Sequence, residues 1–152
     1  MRATYRVLAF VIAALVAVQA AAIGYAVFEQ LHWVGEGGTL DAASLESGEA
    51  AGMGAMIFHA INGATFLLVS LALLVVSFFA KIPKGVRWAV IVLLCTIVQI
   101  ALGTLSRFLS EIGAIHGAWA LVLFGVAVMA AMRTRQPAVV EEPAPEVKAQ
   151  VA

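Results

Sequence analysis

Charge is scarce in this chain. Only 12% of its 152 residues are Asp, Glu, Lys or Arg, against about 25% in soluble domains, while 63% are hydrophobic. One small core cannot hide that much apolar surface, because a short chain leaves a large share of its area outside. A water-soluble single-domain enzyme is excluded. Acidic and basic residues number nine each, so no basic field marks a nucleic-acid partner. Cysteine is nearly missing. Cys95 stands alone within an apolar run, which excludes an internal disulfide and a zinc site built on cysteine pairs. Proline is absent from every long apolar run, with Pro83 in a short basic connection and Pro137, Pro143 and Pro145 near the C-terminus. A transporter built on helices broken at mid-membrane is therefore disfavoured.

Long apolar runs, by contrast, are plentiful, and the mean hydropathy is +1.02. A transmembrane helix needs about 20 mostly apolar residues, and four runs qualify, at 7–28, 52–80, 88–105 and 112–132. The expected fold is all-α: an integral membrane four-helix bundle over residues 1–132, followed by a tail at 133–152. The tail, rich in Pro, Ala and Glu, lacks the apolar content to fold and reads as disordered. Arg2, Arg6, Lys81, Lys84, Arg87, Arg133, Arg135 and Lys148 share one side of such a bundle, and only Arg107 falls on the other. The positive-inside rule makes the basic side, with both termini and the tail, cytoplasmic. The stretch 29–50, carrying five acidic residues, becomes an outer loop, and Trp33 and Trp88 fall at water–lipid boundaries. Arg2, Arg6 and Val18-Gln19-Ala20 also fit a secretory signal with a cleavage site. The apolar run continues to Phe28, however, long enough to span, and is read as uncleaved.

Two halves of the chain share polar landmarks. Gln19 and Gln99 stand in the first and third runs; Phe58-His59-Ala60 and Ile115-His116-Gly117 stand in the second and fourth. Two duplicated helical hairpins, related by a pseudo-two-fold axis along the membrane normal, would explain the match. An ionisable residue inside a bilayer is costly and points to function. His59 and His116 lie roughly 12 and 6 Å below the outer ends of their runs at 1.5 Å per residue, close enough in depth to face each other.

Two neutral imidazoles approaching from opposite sides supply the axial ligands of a low-spin haem, whose iron takes its other four nitrogens from the porphyrin. Zinc would need a third protein ligand. Gly63 and Ala120 follow the histidines by one turn on the same face, and small residues there leave room for a flat macrocycle. Arg107, at the outer end of the third run, is placed to pair with a haem propionate. An ordinary interfacial arginine fits that position equally. The competing reading is structural: Gln19 and Gln99 as interhelical hydrogen-bonders, the histidines likewise, and the small residues, including Gly113 and Gly117, as packing surfaces.

The segment Gln99-Ile100-Ala101-Leu102-Gly103, leading to Ile115-His116-Gly117-Ala118-Trp119-Ala120-Leu121, resembles the second hairpin of a half-unit of the haem A synthase family. That family has two four-helix halves, each with histidines in its second and fourth helices near the outer face. One half would cover this chain up to Arg133. The resemblance implies that His59 and His116 ligate iron. The family's substrate-processing half carries a glutamate about one turn before the histidine of its second helix, where this chain has Ala55 and Met56. The resemblance is thus to the cofactor-holding half and implies no catalysis. The expected function is a haem b protein of the plasma membrane, in electron transfer or haem handling, beside a respiratory or haem-handling complex in the lipid bilayer. The alternative is a haem-free structural or assembly subunit.

Overall fold

The computed structural model describes residues 1–135, which contain helices and turns but no strand. The elements are α1 (Arg2–Gly35), α2 (Ala42–Ser47), α3 (Met53–Phe79), α4 (Gly85–Leu105), α5 (Ser110–Met132) and a 3-10 turn, Arg133–Arg135. Four of them, α1, α3, α4 and α5, are long and apolar enough to cross a membrane. The chain is a multi-pass helical membrane protein. The disordered tail expected at 133–152 lies outside the described residues from 136 onward.

The long helices close into a ring. α1 packs on α3, α3 on α4, α4 on α5, and α5 on α1. Hence α3 and α5 sit on one diagonal, and α1 and α4 on the other. The buried residues recur at helical spacing, as in Tyr5, Ala9, Ile12, Ala13 and Val16 of α1, or Leu123, Ala127 and Ala130 of α5. Alanine dominates these seams. Small side chains let membrane helices approach closely, while Phe28, Leu68 and Leu121 face outward, each at least two-thirds exposed. Lipid solvates such side chains as well as a core would.

Polar ties cross the seams. The Thr96 hydroxyl donates to the Val92 carbonyl at 2.9 Å, so the Ser70 hydroxyl donates to Thr96, also at 2.9 Å. Trp119 Nε1 donates to the Cys95 carbonyl at 3.0 Å, joining α5 to α4. The buried Tyr5 hydroxyl donates to the Gly85 carbonyl at 3.0 Å, fastening the start of α1 to the α3–α4 turn. Each tie contributes about 0.5–1.5 kcal/mol net.

Two boundaries differ from the sequence expectation. α1 does not stop near Phe28 but runs on to Gly35. The 29–50 stretch is not all loop, for it holds the short helix α2. Asp41 caps α2 through a reciprocal pair: its carboxylate accepts from Ser44 N at 2.9 Å, and its own N–H donates to Ser44 Oγ at 3.1 Å. Past α2 the chain returns to α1 at Gly52. Gly52 has φ +78°, and a Cβ there would lie 2.6 Å from the Ala26 carbonyl oxygen. Only glycine allows this approach, and it fixes where α3 begins.

Two outcomes are expected. The Ser44 amide holds the Asp41 carboxyl below the ordinary carboxylate range. A lowered folded-state pKa contributes stability above the unfolded value, near 3.9, that is lost as pH falls through the folded value. Amide protection in α2, taken relative to the intrinsic exchange rate at each pH, should therefore be present at neutral pH and lost in acid, and Asp41→Ala should remove it throughout. Gly52→Ala should lower the unfolding free energy in detergent by more than about 1 kcal/mol, from left-handed backbone strain plus the backbone clash; an unchanged midpoint would contradict the close approach.

Candidate functional site

His59 lies six residues past Met53, the first residue of α3, and His116 six past Ser110, the first of α5. Both rings therefore sit about 9 Å into their helices. The apolar runs alone gave unequal depths; the helix starts make them equal. The rings meet across the α3–α5 diagonal with centroids 6.2 Å apart and planes inclined at 71°. Both residues are half-buried.

Each ring is held by the glutamine of its own hairpin. His59 Nδ1 lies 3.3 Å from the Gln19 carbonyl oxygen, and His116 Nδ1 lies 3.1 Å from the Gln99 carbonyl oxygen. A carbonyl can only accept, so each Nδ1 carries the proton and donates. The neutral tautomer is thereby set, and Nε2 keeps its lone pair. This is the arrangement by which ligating histidines are oriented.

The amide side chains break the symmetry. Gln19 Nε2 donates to the His59 backbone carbonyl at 2.9 Å. Gln99 Nε2 instead donates to His116 Nε2 at 3.3 Å, covering its lone pair. Both amide oxygens, Gln19 Oε1 and Gln99 Oε1, are buried without a hydrogen-bond partner. An unsatisfied buried acceptor costs about 1–3 kcal/mol. Around the rings, then, lone pairs outnumber donors. Such a site favours an electron-pair acceptor or a hydrogen-bond donor over an anion.

The neighbouring small residues divide. Gly103 of α4 supports the His116 ring: a Cβ there would lie 2.9 Å from His116 Cε1. Gly63 borders open space, its nearest neighbour being Gln19 Nε2 at 4.0 Å from the Cβ position. Ala120 is partly buried against the core. Gly117 is exposed, with nothing within 4 Å of its Cβ position, whereas Gly113 faces Ser106 across the α4–α5 turn. Arg107 is exposed in that turn, four residues beyond Gly103. His32 stands apart on α1, exposed and 3.3 Å from Glu36. Gln99 is the interhelical hydrogen-bonder that its sequence position led one to expect. Gly103 was not among the residues expected to shape the site, and its only sequence signal is its spacing of four from Gln99, one helical turn.

The donor set can be tested against a haem. Two imidazole–metal bonds of about 2.0–2.1 Å, plus a ring radius of about 1.1 Å at each end, put the centroids about 6.3 Å apart. The observed 6.2 Å agrees. The tautomers are those of ligands, and no group of three or more His, Cys, Asp or Glu occurs among the described residues. Two imidazoles do not complete a metal's coordination by themselves, so a metal held between them would have to bring its remaining ligands. One adjustment is required: the Gln99 amide must leave the His116 lone pair.

Gly103→Ala should displace the His116 ring. In imidazole nitrogen NMR spectra the His116 signals should move while those of His59 keep their Nδ1–H pattern; unmoved His116 signals would mean the ring does not rest on Gly103.

No protein-family model, no curated protein and no solved structure matches this chain, and none of the comparisons links it to the haem A synthase family.

Proposed function

We propose that the chain is a plasma-membrane haem protein, with one b-type haem ligated by His59 and His116 near the outer face. In this reading both termini and the basic end are cytoplasmic, and the hairpins α1–α3 and α4–α5 are duplicates. The 6.2 Å separation of two tautomer-fixed imidazoles on diagonal helices is the observation that carries it. Bound there by His59 and His116, the haem would supply a one-electron couple, suited to electron transfer or haem handling beside a respiratory or haem-handling complex.

The chain's own residues have distinct tasks. The carbonyls of Gln19 and Gln99 hold the Nδ1 protons and so aim the ligand nitrogens. Gly103 gives the His116 ring a flat support, and Gly63 and Ala120 keep bulk away from the ligands. Arg107 offers a guanidinium at the mouth for a propionate.

A second reading is favoured by one contact. The bond from Gln99 Nε2 to His116 Nε2 already satisfies the imidazole within the protein, as in a haem-free assembly subunit locked by interhelical bonds. Absorption spectra of protein purified from haem-replete cells separate the two. The haem reading expects sharp reduced α and β bands, lost in both His59→Ala and His116→Ala. A colourless wild-type protein that also fails to bind added haemin would leave the scaffold.

A further inference from the structure

The end of the bundle opposite the histidines is a concentrated cationic surface, and its chemistry is independent of the histidine pair. It gathers Arg2 and Arg6 of α1, the three cations of the 81–87 turn, and Arg133 with Arg135 past α5. Two contacts draw these segments together. Tyr5 bonds the Gly85 carbonyl, and the Arg133 guanidinium lies over the Trp88 ring at 4.9 Å from its centroid. Every Asp and Glu among the described residues lies at the other end, so none of them faces Lys84, Arg87 or Arg133.

Arg133 is the best-placed group. It is half-buried, and the indole of Trp88 takes up the face of its guanidinium. A stacked guanidinium keeps its N–H edge available in a fixed plane, a geometry that matches the oxygens of a phosphate. Met129, one turn before Arg133 on the same side of α5, and Met132 beside it are exposed apolar side chains. An anion bound here therefore sits above an apolar surface at the end of two membrane-crossing helices. Free phosphate would leave that surface uncovered, whereas acyl chains would cover it.

We infer that the basic end holds an anionic phospholipid: the N–H edge of Arg133 binds its phosphate, Trp88 fixes the guanidinium plane, Arg87 and Lys84 add charge, and acyl chains lie along Met129 and Met132. The test uses the full-length protein in detergent micelles, with phosphatidylglycerol and phosphatidylcholine of the same acyl chains as probes, read by native mass spectrometry and thermal unfolding. Phosphatidylglycerol should stay bound and raise the midpoint where phosphatidylcholine does neither. Arg133→Gln should weaken its binding about tenfold, the loss of one charge-assisted contact, and Arg133→Lys should recover only part. Trp88→Leu should weaken it while preserving every charge. Equal retention of the two lipids would overturn the proposal, as would wild-type affinity in Arg133→Gln. So would equal stabilisation by inorganic phosphate alone. Lipid binding that appears only after Glu141, Glu142 and Glu146 are all changed to Gln would make the chain's own glutamates the occupant, and would also overturn it.

Discussion

An imidazole inside an apolar bundle must satisfy its N–H or bear the cost, and here a glutamine carbonyl satisfies it twice. The bond from His59 to the Gln19 carbonyl and that from His116 to the Gln99 carbonyl join the two helices of each hairpin. They fix ring height, tautomer and orientation together. In a medium without water a donor left unpaired costs several kcal/mol, so these bonds hold the rings where the rest of the site needs them. A backbone carbonyl also cannot be substituted away, which makes this support less sensitive to side-chain changes than the amide contacts beside it.

The packing around that pair follows the logic of a lipid solvent. Leucine and phenylalanine gain little by leaving acyl chains for a protein interior, so burial is given to small residues that bring backbones close. Ala9 and Ala13 of α1, Ala89 of α4 and Ala127, Ala130 and Ala131 of α5 form the seams. Ser70 and Thr96 exchange a hydroxyl bond within them. The same economy of side-chain volume leaves Gly103 bare enough for a ring to lie on it.

Hydropathy made the four membrane-crossing helices legible, since runs of that length have no other stable home. The histidines were legible for the converse reason: a titratable group in such a run stands out against its surroundings. What escaped was set by contacts between segments. The capping pair of Asp41 and Ser44 makes a helix of a stretch whose composition reads as loop. The equal depth of the two rings depends on α3 starting at Met53 and α5 at Ser110, and the first of these follows from Gly52 touching Ala26. Gly103 beneath His116 is a meeting across helices that no periodicity within one helix encodes, and for Gln99 only the interhelical bond was legible, not that its amide would lie on the His116 lone pair.

The four long helices are unequal. α1 has 34 residues and α4 has 21, lengths of about 51 and 32 Å at 1.5 Å per residue. One slab of hydrocarbon, about 30 Å thick, takes the whole of α4 but only the apolar 7–28 stretch of α1, leaving the turns that carry Glu29 and His32 outside it. Beyond Ala26, where α3 comes in, α1 still carries Phe28, Leu31 and Val34 exposed. In a bilayer those last two turns of α1 would rise clear of the hydrocarbon as a stalk, offering Leu31 and Val34 to the water side instead of to acyl chains.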